Sequence, residues 1–156
     1  MTASSTSSER HGAAAAADIQ RALAAPQFTG KYLSLESFKR DGAAVATPVW
    51  FVTDGGKIFV ITDDGSYKVG RIRRNPAVTL AECTASGRLR SRRVPGRAQV
   101  LPVSDVPGVQ QLMARKYRID RVVILPVYRA VQAIAHGRRG HQESVVLMIT
   151  PGLSAN

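Results

Sequence analysis

Alternating apolar and polar positions in the first half of the chain predict β-strands. Three apolar-rich runs follow one another with two turn sequences between them: residues 31–38, 43–53 and 57–64, with Asp41-Gly42 and Asp54-Gly55-Gly56 as the turns. Asp-Gly pairs between such runs are strong hairpin signals. The pattern therefore predicts a three-stranded antiparallel meander. Pro48, inside the second run, cannot donate a ladder hydrogen bond and predicts an edge, a bulge or a bend at that position.

The apolar spacing changes after the third strand. Residues 67–74 have helical spacing, with Ser66 as a plausible N-cap and Asn75-Pro76 as a stop signal. The later runs predict strands at 77–83, 90–103 (bent at Pro95-Gly96) and 143–150, and helices at 106–117 and 120–135, the last in conflict with Pro126. Six antiparallel strands with segregated helices indicate a small barrel capped by helices, in the mainly β (α+β) class.

Length and composition favour one domain with tails. A chain of 156 residues suits a single core. We expect an Ala- and Ser-rich flexible tail at 1–26, the domain at 27–152 and a short tail at 153–156. No apolar run approaches the roughly 18 to 20 residues that span a bilayer. No export signal is recognisable, so we predict a cytoplasmic protein without a membrane span. The single Cys83 is interpreted as buried core.

Charge points to anionic partners. Lys and Arg number 22 against 11 Asp and Glu, a net charge of +11, which attracts anions over long range. Five arginines lie between residues 88 and 97, but no aromatic residue falls among them. Because binders of single-stranded nucleic acid use aromatic stacking platforms, we do not expect a nucleic-acid partner.

An anion seat is predicted at the start of the first helix. Ser66 and Lys68 lie in or next to its first turn, where the helix dipole is already positive, and Thr62 ends the preceding strand. Hydroxyls, a lysine and free N–H groups can bind an anion there. The glycine patterns of a P-loop and of a Rossmann fingerprint are absent. Arg73 and Arg74, near the helix C-terminus, are interpreted as a solvated face.

Catalytic side chains are scarce in the sequence. No Ser/His/Asp grouping is recognisable, and His136 and His141 have no partners at metal-ligand spacing, so no metal site is expected. A chain poor in catalytic groups but equipped with an anion seat favours a cofactor that carries the chemistry.

Several segments resemble a known family. "KYLSLESFKRDGAAVATPVWFV", "KIFVITDDGSYKVGRIRRNPAVTLAEC" and the later "ARKY" are similar to the pyridoxamine-phosphate-oxidase-like superfamily, and within it to PPOX-class F420-dependent oxidoreductases. The resemblance covers roughly residues 28–151. It implies a six-stranded antiparallel split β-barrel with flanking helices. It also implies a homodimer with cofactor at the subunit interface, and hydride transfer between a reduced deazaflavin and a small organic acceptor.

The resemblance also implies roles for individual residues. Lys68 and Ser66 would contact the cofactor phosphate, with Thr62 beside them, and Arg71 would assist or reach the acidic tail of the deazaflavin. The tricyclic ring would lie along five consecutive residues: Val45, Ala46, Thr47, Pro48 and Val49.

The choice of cofactor rests on one local difference. Relatives that use FMN often carry an arginine on this strand, whereas Thr47 and Pro48 stand here, which favours coenzyme F420 over FMN. The arginines at 88–97 are a candidate wall of the groove, from either subunit. Two alternatives stay open: an FMN-dependent oxidoreductase, and a non-catalytic binder of haem or biliverdin. No residue is assigned a catalytic role; Tyr67, Tyr117 and Tyr128 are candidate proton donors.

Overall fold

The apolar runs form seven strands and two α-helices in the computed structural model, which describes residues 28–117 and 143–152. The predicted tails and the predicted helix at 120–135 lie outside these ranges. The strands and helices are β1 (Tyr32–Phe38), β2 (Ala44–Val49), β3 (Val52–Asp54), β4 (Lys57–Asp63), α1 (Tyr67–Arg74), β5 (Ala77–Cys83), β6 (Val94–Leu101), α2 (Val106–Lys116) and β7 (Ser144–Pro151).

The prediction of six strands is wrong because the second predicted strand is divided. Residues 43–53 form β2 and β3, with Trp50 and Phe51 between them. All seven strands belong to one antiparallel sheet in the order β2-β1-β5-β6-β7-β4-β3. The break is not at Pro48, since β2 continues to Val49. Pro48 does lie on an edge strand, which was one of the three possibilities predicted for it, beside a bulge and a bend.

The predicted meander is therefore two hairpins on opposite edges of the sheet. β2 pairs with β1, and β3 pairs with β4, but the sheet places these hairpins at its two ends. Only two residues connect β2 to β3, so the two edges must approach each other at Trp50-Phe51. The sheet is thereby curled into an open barrel, and the bend is the point where one long strand changes edges.

The barrel interior is filled by alternate residues of the strands. Leu33 and Leu35 from β1, Leu80 from β5 and Leu147 from β7 are almost fully buried and belong to one apolar cluster. Val69 and Ile72 of α1 join the same cluster. The helix therefore packs with its apolar side against the interior, as its spacing predicted.

A second apolar cluster lies on the outer face of the sheet, under α2. Val106 and Val109 of this helix pack with Val52 of β3 and Val146 of β7. The helix thus covers the strands beside the bend, and its last turn reaches Trp50-Phe51. The predicted helix at 106–117 is confirmed as Val106–Lys116.

Gly96 explains why the predicted bend in the strand at 90–103 does not occur. β6 runs without interruption from Val94 to Leu101. Gly96 is buried in it, and a Cβ there would lie 3.2 Å from Leu80 Cδ1 and 3.2 Å from the Thr150 carbonyl oxygen. The glycine permits close packing across the barrel rather than a turn.

Strand directions place the two main connections at opposite ends of the barrel. β5 is antiparallel to β6, β6 to β7 and β7 to β4. The end of β4 and the start of β5, which α1 connects, therefore lie at one end. The segment 84–93, which connects β5 to β6, lies at the other end. Within the described residues, no helix is long and apolar enough to cross a membrane.

Candidate functional site

The predicted anion seat is assembled where β4 meets α1. Lys68 Nζ donates a hydrogen bond to Thr62 Oγ1 at 3.1 Å. Burial lowers the pKa of the Lys68 ammonium, an effect that Asp63 opposes and Arg71 reinforces. A cation that is partly stripped of water and lies beside a second cation gains from a bound anion. Thr62 and Lys68 are thus brought together.

Ser66 shows the clearest sign that a ligand is expected. It occupies the N-cap position in an extended conformation (φ −69°, ψ 146°), but its side chain makes no capping hydrogen bond. Its Oγ is buried and has no hydrogen-bond partner among residues 28–117 and 143–152, which is costly for a hydroxyl. The first turn of α1 contains no acidic residue. A phosphate at this helix start would satisfy the hydroxyl and the dipole together.

Arg71 lies one turn further along α1 and faces β1. Its Nε donates to Ser37 Oγ at 2.8 Å. Ser37 is buried and stands opposite Val45 in the β1–β2 register. Arg71 therefore connects the anion seat to the strand next to β2, and it is placed between the two parts of the predicted site.

The five predicted ring-contact residues all lie on β2. Their side chains alternate: Val45, Thr47 and Val49 are half-buried, while Ala46 and Pro48 are exposed. They cannot all meet one planar ring through side chains. Within the described sheet, however, β2 is an edge strand. A ring along β2 would therefore meet one set of alternate side chains or the backbone of the strand edge.

The residues interpreted as non-functional have structural partners. Arg73 forms an ion pair with Asp64 on the surface, and Arg74 Nη2 donates to the Phe38 carbonyl at 3.4 Å. Cys83 is buried, and burial raises its pKa, which disfavours the reactive thiolate.

The candidate proton donors are separated by the fold. Tyr67 is 71% exposed at the start of α1, beside the anion seat. Tyr117 is buried and uses its hydroxyl for backbone contacts far along the chain. Tyr128 lies outside the described residues, as do His136 and His141. Among the described residues, no group of His, Cys, Asp or Glu could hold a metal ion.

Sequence reasoning missed a cluster at the bend. Tyr117 Oη donates to the Lys31 carbonyl at 2.8 Å and accepts from the Phe51 N–H at 3.1 Å. The Trp50 and Tyr117 rings stack with centroids 5.2 Å apart. Lys116 Nζ donates to the Phe51 carbonyl at 3.0 Å and lies 3.3 Å from the centroid of the Phe51 ring. "ARKY" contributed to the resemblance, but nothing local in it indicates these distant partners.

Comparison with known proteins places these features in a family. The sequence model described as pyridoxamine 5'-phosphate oxidase matches residues 29–146, which is more than half of the chain. No curated protein matches the chain in sequence.

Solved structures share the fold at low sequence identity. A conserved hypothetical protein from Mycobacterium tuberculosis is 17% identical, with a TM-score of 0.52 over 86% of this chain and 77% of that protein. A protein named F420 reductase is 17% identical, with a TM-score of 0.51 over 78% of this chain and 86% of its own. A heme storage protein from Vibrio cholerae is 16% identical, with a TM-score of 0.48 over 80% and 83% of the two chains. The likeness to the first two shows a common fold.

Proposed function

The chain belongs to the pyridoxamine 5'-phosphate oxidase family, and on this premise we propose that it is an oxidoreductase that uses coenzyme F420. In this proposal it transfers hydride between the reduced deazaflavin and a small organic acceptor. The superfamily expected from the sequence is confirmed, whereas the F420-dependent branch within it stays a prediction. One observation carries the proposal: the buried Ser66 hydroxyl, without a partner among the described residues, at the start of the helix that also carries Lys68.

The donor set fits a phosphate group. Ser66 supplies a hydroxyl that can donate, Lys68 a charge that burial has made costly to leave unpaired, and Thr62 a second hydroxyl. Charge-assisted hydrogen bonds to such groups are roughly twice as strong as neutral ones. Arg71, already held through Nε by Ser37, retains its terminal guanidinium nitrogens for a second anionic group. FMN and F420 both carry a phosphate, so this part of the site accepts either.

The features of β2 favour the deazaflavin. Thr47 and Pro48 introduce no positive charge beside the ring position, and Pro48 has no backbone N–H to donate. The bound coenzyme would supply the redox chemistry. The chain would hold its phosphate, orient its ring along β2 and exclude water from one face of it. We also propose a homodimer with the cofactor at the subunit interface. The cytoplasmic location stays a prediction.

The test is a set of separate titrations with F420, FMN, haem and biliverdin, followed by fluorescence quenching or a spectral shift. We expect saturable binding of F420. Lys68→Met should weaken it roughly 10- to 100-fold, since a hydrogen bond to a charged group contributes about 1.5–3 kcal/mol. Arg73→Met is the matched control, because it removes a charge from the same helix that already has a partner.

Three results would overturn the proposal. They are F420 affinity that Lys68→Met leaves unchanged, binding of FMN without binding of F420, and binding of a tetrapyrrole alone. If F420 binds, oxidation of the reduced coenzyme by quinones, enones and nitro-aromatics, measured by absorbance, tests the catalytic half. A chain that binds the coenzyme but consumes none with any acceptor class would be a carrier rather than a reductase.

A further inference from the structure

The connection between β5 and β6 concentrates positive charge that no ion pair of the described residues neutralises. We call residues 84–93 the basic loop; it carries Arg88, Arg90, Arg92 and Arg93. All four are exposed. The loop contains no Asp or Glu, and none of the ion pairs found among residues 28–117 and 143–152 involves it. Four like charges so close together repel one another, a cost that an anionic partner would offset.

The basic loop is held in a defined shape by its own hydrogen bonds. Thr84 N–H donates to the Arg88 carbonyl at 2.9 Å, and Arg88 N–H donates to Thr84 Oγ1 at 3.1 Å. Gly87 permits this tight turn with φ +88°. Further along, the Arg90 N–H donates to the Glu82 carbonyl at 2.7 Å. The arginines are thus displayed from a fixed backbone, so a partner pays less ordering entropy than it would on a floppy tail.

The basic loop is separate from the anion seat of the same chain. The seat lies at the end of β4 and the loop at the end of β5, and these two strand ends are at opposite ends of the barrel. The loop returns along the second half of β5, so that Val94 lies opposite Leu80, and its four arginines start about 13 Å beyond Ala77 at a rise of roughly 3.3 Å per residue. Within one chain, the four arginines of the loop therefore lie away from the Lys68 end of β5, whereas the proposal that the arginines at 88–97 form a wall of the groove from either subunit stays a prediction.

We propose that the basic loop binds the phosphates of double-stranded nucleic acid without reading its bases. Arginine is the side chain best suited to phosphate, because its planar fork makes paired hydrogen bonds. The loop has no aromatic residue for stacking on single strands. It also offers no apolar tip for a lipid surface, since Leu89 is half-buried and bridges to Cys83. Backbone binding to a duplex requires neither feature.

This inference departs from the sequence-based expectation of no nucleic-acid partner. That expectation rested on missing aromatics, which argues against single strands alone. The position of the loop at the far end of the barrel also removes the cofactor groove of its own chain as an explanation for the arginines. The proposal is independent of the F420 assignment, so either one can fail without the other.

The test is fluorescence anisotropy of a short labelled DNA duplex with the full chain at several NaCl concentrations. Four neutralised phosphates predict a slope of log K against log salt of about −3.6. Arg90→Gln/Arg92→Gln should reduce its magnitude by about 1.8. The control, Arg73→Gln/Arg74→Gln, removes the same charge from α1 at the other end and should leave the slope unchanged.

Each other outcome overturns the proposal. Equal losses in the two double variants would show that net charge alone attracts the duplex. Absence of binding at low salt would show an ordinary solvated surface. Loop-dependent binding to phosphatidylcholine vesicles that contain phosphatidylserine, with no binding to the duplex, would assign the loop to a lipid surface instead. Circular dichroism of both double variants checks that each is folded.

Discussion

At the scale of single residues, Ser66 lacks the capping hydrogen bond that a serine at the start of a helix normally makes. A serine at the start of a helix usually caps it through its hydroxyl, and losing that bond costs about 1 kcal/mol. Here the hydroxyl does not cap and is buried without a partner. Ser66→Ala should therefore stabilise the ligand-free protein by about 1 kcal/mol, because it removes an unsatisfied polar group. Urea denaturation measures this change.

The same substitution should weaken coenzyme binding roughly tenfold, because a hydrogen bond to a phosphate is lost. The opposite signs of the two effects distinguish a ligand contact from a structural one. Ser104→Ala, at an exposed serine before α2, is the control and should change neither quantity. Destabilisation of the ligand-free protein by Ser66→Ala would contradict the interpretation.

Lys116 provides a residue-scale prediction about pH. Burial lowers its pKa to about 8, with Glu82 acting in the opposite direction. In the unfolded chain its pKa returns to its ordinary value of about 10.4. Between these values the unfolded state binds more protons, so this group makes stability rise with pH from about 8 to 10.4. Because part of the side chain stays exposed, we expect a modest rise.

The measurement is the urea midpoint of wild type and Lys116→Met at pH 7 and near pH 10. Lys68, whose pKa is also lowered, contributes equally to both proteins and cancels in their difference. The stability advantage of the methionine variant should be larger at pH 7 than near pH 10. Arg115→Met removes a neighbouring exposed charge and should show no such dependence. A difference that is the same at both pH values would refute the assignment.

At the scale of elements, the local sequence pattern was sufficient to predict an element whose bounds depend only on neighbouring residues. The helix at 67–74 was predicted with its ends, since apolar spacing, a polar residue before it and Asn75-Pro76 after it all lie within the eleven residues 66–76. The seat residues Thr62, Ser66 and Lys68 follow from that helix, because they flank or occupy its first turn. For Arg71, the sequence predicted its position on the helix but not the residue that it contacts.

The partners that elements acquire over long distances were not predictable in this way. The apolar run at 43–53 reads as one strand, yet its halves pair with β1 and β4 at opposite edges. Local alternation does not reveal which edge a strand joins. The contact from Arg71 to Ser37, 34 residues away, and those from Tyr117 to the bend, 66 residues away, arise only in the closed barrel.

At the scale of the whole molecule, one bend determines how the two edges of the sheet meet. The Tyr117 hydroxyl accepts a hydrogen bond from the Phe51 N–H at 3.1 Å. Its one hydrogen is shared between two carbonyl oxygens, that of Lys31, just before β1, at 2.8 Å and that of Phe51 at 2.9 Å. The end of α2 thus connects the start of the sheet to the place where its chain changes edges, and so fixes β2 relative to the rest of the barrel.

Tyr117→Phe tests this closure. It removes one hydroxyl but keeps the ring that stacks on Trp50. The buried Phe51 N–H loses its partner, whereas the Phe51 carbonyl keeps its hydrogen bond from Lys116 Nζ. Leaving one buried group unpaired costs about 1–3 kcal/mol, so we expect a loss of about 1–3 kcal/mol in urea denaturation. Trp50 is the one tryptophan of the chain, so its fluorescence reports on the bend directly. An emission spectrum that stays native without urea would show that the fold persists and that the loss is local to the hydroxyl. Tyr32→Phe, at a half-buried ring of β1, is the matched control. If both variants lost the same small amount, the hydroxyl would have no special part in closing the barrel.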